Sequence, residues 1–252
     1  MSKPPYSPPG SRREVRRSLA DALVSLAETP SDASLIDDLL QRIVQLTADL
    51  VAPVSYASVT RTRGDAPTTV AMSSEIALAV DRAQYADQTG PCLDALDVGV
   101  PVAVPDIAAT MVWPGFREAA LSLGLRASLS IPLFAGAGAP VAALNLYGHD
   151  PDTMAPLTAH VLTVYDPERT HTLATDPPSS DPGIEELVSG LVEAFAVRAV
   201  IQQALGMIMH QRHSTAEEAY LILRVSAAET GRSLIEAATL TRDHDSRPMP
   251  GT

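Results

Sequence analysis

Cys92 is the only thiol in a chain of 252 residues. A single cysteine makes neither an intrachain disulfide nor a multi-thiolate metal site. It sits between Pro91 and Leu93 in what reads as a turn, where a small buried side chain fits better than a reactive one. His210 and His213 form an HxxH step at the end of a helix. Two imidazoles can hold a metal only with further ligands, and no third one of the right type lies near in sequence. Exposed histidines at a helix C-terminus, where the dipole favours them, account for the pair. The remaining histidines, His149, His160, His171 and His244, are scattered through turns or linker. No serine–histidine–acid set and no paired carboxylates stand out. Lys3 is the one lysine against seventeen arginines, which excludes a Walker A loop, a kinase site and a phosphoreceiver domain, all of which need an internal lysine. The expectation is a chain with no catalytic residue, no metal and no cofactor.

The other positions that invite chemistry are Ala204 and Gly206. A glycine inside a helix costs about 1 kcal/mol relative to alanine, and its use is to let another backbone come close. That neighbour is either an RNA or a packed helix of the same bundle. Both residues read as lying on the surface of a helix. Two short helices follow with start and stop signals: Thr215 with Glu218 (or Ser214 with Glu217) as a capping box, Gly231 as a left-handed stop, and Ser233 with Glu236 as the next cap. Three helices this short make no catalytic cleft, so this end of the chain reads as an output module.

The stretch Arg198–Asp243 resembles the ANTAR domain, a three-helix RNA-binding module of bacterial antiterminators. Arg198, Ile201, Gln203, Ala204, Gly206, Met209, Ala219, Leu223, Arg224, Leu234 and Ala238 carry the resemblance over about the last quarter of the chain. Leu205 stands where the family usually has lysine, and Ala227 and Gly231 where it often has serine and asparagine. The resemblance implies binding of structured leader RNA hairpins by a dimer that holds two hairpins at a fixed spacing. Arg198 and Arg212 are then candidates for phosphate contacts, with Ala204 and Gly206 giving the RNA room to approach. Leu205→Lys is expected to strengthen that binding, and Arg198→Ala to weaken it. Against this stands charge. The chain has a formal charge of −12, and from Gly183 onward six arginines face nine acids, so no strongly electrostatic nucleic-acid binder is expected. A bundle that only dimerises or binds a protein partner is the alternative, with Leu191, Phe195 and Leu205 as a seam.

The elements that position these residues follow from periodicity. Residues 1–10 are Pro-rich and read as a disordered leader. The stretch 1–18 reads as neither signal peptide nor anchor, and no later stretch reads as long and apolar enough to span a bilayer; with Cys92 alone, a reducing cytoplasm is expected. Helical stripes run over Ser11–Glu28 and Ser34–Leu50. Strand-like alternation marks Val54–Thr60, Thr69–Ser73, Val102–Val104, Ser128–Phe134 and Val141–Tyr147, with RGDAP and AGAGAP as turns. Helices are expected over Ser74–Asp87, Trp113–Gly124 and Thr153–Tyr165. A polar, Pro-rich run reads as linker, and a helix starting near Ile184 leads into the output module. Its many apolar positions predict a homodimer.

TGPCLDAL (Thr89–Leu96), VAVPDI (Val102–Ile107), WPGF (Trp113–Phe116), LSIPL (Leu129–Leu133) and ALNLYG (Ala143–Gly148) resemble a GAF domain of the kind paired with ANTAR in actinobacteria. That implies a small-molecule sensor of unknown ligand. Some GAF domains reduce methionine sulfoxide, but the lone Cys92 has no resolving partner. The whole reads as an α+β GAF-like sensor domain, an antiparallel sheet with helices, followed by an all-α three-helix ANTAR-like bundle. The expected boundaries are 11–166 for the sensor with its leading helix, 167–183 for the linker, 184–245 for the bundle and 246–252 for a disordered tail.

Overall fold

The computed structural model describes residues 18–64, 66–136, 138–166 and 181–245. The expected leader, most of the linker, the tail and the first part of the leading helix lie outside the described residues. What is described of that helix, α1 (Leu19–Glu28), is opened by a capping box: Asp21 N–H donates to the Ser18 hydroxyl, and Ser18 N–H donates to the Asp21 carboxylate. The second helix, α2 (Ile36–Leu50), buries Ile36, Leu40, Ile43 and Val44 along one stripe.

Five strands follow the alternation: β1 (Tyr56–Arg63), β2 (Ala66–Met72), β3 (Val102–Val104), β4 (Ala127–Leu133) and β5 (Ala142–Gly148). They form one antiparallel sheet in the order β2-β1-β5-β4-β3. Arg63 pairs with Ala66, so the first hairpin closes more tightly than the five-residue RGDAP turn expected. Gly64 at φ +63° supplies the left-handed residue such a turn needs. Helices α3 (Glu75–Asp87), α4 (Pro91–Val98) and α5 (Pro114–Ser122) cover one face, and α6 (Pro151–Tyr165) lies on the other with α1 and α2. Helix α4 was not expected. Cys92 is therefore in a first helical turn, not in a loop, and Pro91 at the helix start hid it, because proline at that position serves helix starts as readily as turns.

The last three helices are α7 (Pro182–Arg212), α8 (Ala216–Thr230) and α9 (Leu234–Asp245). α7 serves two cores. Ile184, Leu187 and Leu191 join the sensor core beside α1, while Ile201, Ala204, Leu205 and Ile208 form the bundle core with α8 and α9. By length and composition alone α7 would also suffice to cross a bilayer, contrary to the expectation that no stretch would. In this fold Ile184, Leu187, Leu191, Ile201, Leu205 and Ile208 go into those two cores, while Val192 and Met209 stay exposed. The junction with α1 is close: a Cβ on Gly190 would lie 2.6 Å from the Cα of Ala20. Gly190→Leu should therefore prise α7 from α1, with a net loss of roughly 2–3 kcal/mol despite leucine's better helix propensity. A urea midpoint equal to that of the parent protein would rule out this close packing.

Candidate functional site

A Cβ built on Gly206 would meet nothing within 4 Å. The glycine therefore does not seat a neighbouring helix, which removes the packed-helix explanation for it among the described residues. It lies at the centre of an exposed face. Ala199, Gln202, Gln203, Gly206, Met209, His210 and His213 are all exposed, and their spacing of three and four residues puts them on one side of the helix. The face offers two amides and two imidazoles around a bare stretch of backbone. The helix ends at His213, in the left-handed region at φ +53°. The expected caps then fix the bundle: Thr215 with Glu218 before α8, Gly231 at φ +64° after it, and Ser233 with Glu236 before α9.

Ala204 is not on this face. It is 0% exposed, and Leu205 is 4% exposed, both packed against Ala219, Leu223, Leu234 and Ala238. The reason is angular: at about 100° per residue, two positions back from Gly206 is nearly the opposite side of the helix. The reading of Ala204 as an RNA contact is thus corrected to a core role. The proposed seam of Leu191, Phe195 and Leu205 is also corrected, since Leu191 belongs to the sensor core and Leu205 to the bundle core.

Arg198 is also not free for a phosphate here. Its Nη2 donates to the Gly138 carbonyl (2.9 Å), and its guanidinium lies 4.0 Å from the centre of the Phe134 ring. Both partners are in the loop between β4 and β5. Burial pulls its pKa below the ordinary arginine value, with Tyr165 acting the other way. Arg224 reaches the sensor too, pairing with Asp32 at 3.0 Å. Arg212 and Arg232 are exposed. Arg212 lies on the same side of α7 as Arg198, about 21 Å further along by helix geometry. The motif arginines thus divide between the sensor and the solvent. His210 and Gln203, which flank Gly206, were seen in the sequence without a role; their spacing of three and four from that glycine was the signal.

The sensor holds a second candidate site. Period-two alternation puts Ser58 and Thr60 of β1, Ser128 and Ser130 of β4, and Asn145 and Tyr147 of β5 on the sheet face under α3 and α4, all buried. Asp81 of α3 is wholly buried among them. It accepts from the Tyr147 hydroxyl (2.6 Å), the Thr69 hydroxyl (2.8 Å) and the Asn145 amide (3.3 Å). Gln84 accepts from the Cys92 backbone N–H at 3.0 Å. Burial pushes the Cys92 thiol well above its usual range, which leaves little thiolate for redox chemistry. Among the described residues, Ser128 Oγ and Asn145 Oδ1 are buried without a hydrogen-bond partner. Among the described residues no three His, Cys, Asp or Glu side chains come together as a metal site.

Burial raises the Asp81 carboxyl to about 6, against the smaller lowering effect of its hydrogen bonds. A carboxyl whose folded pKa exceeds its unfolded one contributes stability at low pH that is lost as pH rises through the folded value. The loss, between about pH 4 and pH 7, is on the order of 3 kcal/mol. Asp81→Asn is expected to flatten this fall. Urea titrations of both proteins at several pH values check it, and parallel curves would mean that Asp81 ionises freely.

The family model described as GAF domain matches residues 33–164, just over half of the chain. The chain belongs to the GAF domain family. The model described as ANTAR domain matches residues 189–240, so the GAF domain is followed by an ANTAR domain. Both are regulatory modules, and no catalytic domain is identified. No curated protein matches. Among solved structures, the GAF domain of A. aeolicus NlH2 in an inactive state is similar at 8% identity and a TM-score of 0.39, over 63% of this chain and 95% of that one. A domain assigned to a two-component sensor histidine kinase protein of Sinorhizobium meliloti 1021 is similar at 12% identity and a TM-score of 0.36, over 71% of this chain and 96% of that one.

Proposed function

We propose that this GAF–ANTAR protein is a cytoplasmic transcription antiterminator that binds structured leader RNA hairpins under the control of a small-molecule ligand. The open backbone at Gly206, flanked by Gln203 and His210, carries this reading. It lies inside the matched ANTAR segment and on the one side of α7 that neither core uses. Exposed loop bases of a hairpin can be read by amides and imidazoles of this kind. Arg212, exposed near the end of α7 but about 120° around the helix from Gly206, is one arginine available for a phosphate at the edge of this surface, and Arg198 becomes a second one only when it leaves Gly138 and Phe134. The sensor controls the output through these grips. The exposed Arg224–Asp32 pair contributes about 0–1 kcal/mol and the Arg198–Gly138 hydrogen bond about 1.5–3 kcal/mol, so a ligand of modest differential affinity shifts the balance. In the sensor, the unpartnered Ser128 and Asn145 oxygens are where a small polar ligand would gain hydrogen bonds.

A second reading, a bundle that only dimerises or binds a protein, draws on Leu221, Ile222 and Val225. These form an exposed apolar stripe on α8. The expected homodimer rests on α7, which keeps Val192 and Met209 exposed, and the α8 stripe adds apolar surface for its interface. Light scattering should give twice the chain mass at micromolar concentration; the single-chain mass would remove the dimer. Titration of the full chain with a two-hairpin leader RNA decides between the readings. Saturable binding that an unstructured RNA of the same length cannot match supports antitermination, and equal weak binding to both favours the protein-partner role.

A further inference from the structure

Sensor and output helix meet in a groove of about 460 Å³, lined by Val100, Phe134, Tyr165, Phe195, Arg198 and Gln202 among others. Its inner wall is aromatic. Tyr165 stands edge-on to Phe195 at 4.7 Å, and Phe134 lies 6.0 Å from Phe195. Behind these rings a small apolar pocket reaches Leu23, Leu26 and Leu191. Arg198 is the only cation in the lining, and among the described residues no carboxylate pairs with it. Among the described residues its Nε–H is buried without a partner, and only Nη2 makes a hydrogen bond. An unpaired, half-buried guanidinium beside three rings is a poor structural element, because a buried donor left unmade costs about 1–3 kcal/mol. It is a good half-site, because a guanidinium fork matches a carboxylate bidentately.

We propose that this groove binds a small aromatic carboxylate, its ring against Phe195 and Tyr165 and its carboxylate on Arg198, as a ligand site separate from the polar layer under α3. The lining selects this class. Apolar walls take a flat hydrocarbon body, the cation takes one negative charge, and the exposed Gln202 amide stands at the rim for a polar substituent. Nothing in the lining satisfies a sugar or a second charge. The chain's overall negative charge opposes the approach of an anion only weakly at physiological salt, where screening acts over about 8 Å. A carboxylate on Arg198 competes directly with the Gly138 carbonyl for the same donors. Occupancy therefore loosens the grip of the β4–β5 loop on α7. That regulatory consequence rests on the antitermination reading; the binding itself does not.

Calorimetric titration of the full chain with naphthylacetate tests the site, with naphthylacetamide as its uncharged counterpart. The expected result is saturable one-to-one binding of the acid, with at least tenfold weaker binding of the amide. Arg198→Gln should weaken the acid at least tenfold. Val100→Trp should do the same by filling the groove, and Val100 is 47% exposed, so the substitution leaves both cores alone. Asp81→Asn, in the other layer, should leave binding unchanged. Absence of saturation at millimolar acid overturns the proposal, as does binding that neither Arg198→Gln nor Val100→Trp weakens, or that Asp81→Asn abolishes. A parallel RNA titration separates the two readings. Acid binding without any RNA affinity leaves the site standing and removes antitermination, and acid binding that leaves an existing RNA affinity unchanged removes the control.

Discussion

Gly206→Leu is expected to abolish binding of hairpin RNA while the protein becomes slightly more stable. The two halves of this result have separate causes. Leucine is the better helix former by about 0.8–1 kcal/mol, and among the described residues no atom beyond α7's own adjoining backbone lies within 4 Å of the new Cβ, so folding gains and nothing is displaced. A four-carbon side chain in the middle of the Gln203–His210 face keeps the RNA backbone several ångströms from α7. Amide and imidazole hydrogen bonds are lost beyond about 3.5 Å, so a fall in affinity of at least a hundredfold, about 2.7 kcal/mol, is expected. Filter binding and a urea midpoint measured on one preparation check both halves. Unchanged RNA affinity with a raised midpoint would mean that RNA, if it binds, approaches another face. The α8 stripe would then become the output surface.

The sheet and most helices were legible because each rests on a local pattern. The helical stripe over Ser34–Leu50 and the strand alternation of β1 and β4 need only period and turn residues, although the side of α2 that is buried is set by Ile36, Leu40, Ile43 and Val44. The caps at Thr215, Gly231 and Ser233 were legible for the same reason. What failed was facing. Ala204 and Gly206 were read as one surface because both are small, although two residues on a helix point nearly opposite ways. The polar residues of β1, β4 and β5 suggest a solvent-facing side by alternation alone, whereas α3 and α4 cover them. Arg198 carries the family signature, but its grip on Gly138 spans sixty residues. No window of sequence shows that a motif arginine is occupied by the neighbouring domain.

Leu205 gives the sharpest contrast, because charge at this position should act through side-chain length. Leu205→Asp should unfold the bundle, costing roughly 3 kcal/mol or more, since a short carboxylate cannot escape a site only 4% exposed and an unpaired buried charge is expensive. Hydrogen exchange should then collapse in α8 and α9 while the sheet stays protected, as the bundle core contains no sensor residue. Leu205→Lys should behave differently. Its four-carbon stem can lie along the bundle and bring the ammonium out at the edge of the Gly206 face, at a cost of about 1–2 kcal/mol. The sequence-based expectation of tighter RNA binding is thereby kept, but by a different route: the leucine is a core residue, not an exposed apolar group that a cation replaces. One added phosphate contact should steepen the salt dependence of affinity by roughly 0.7–0.9 in log–log slope. If Leu205→Asp and Leu205→Lys lose the same stability, the position is closed on all sides and the added cation cannot reach RNA. If neither loses any, Leu205 faces solvent and the bundle packs in another register.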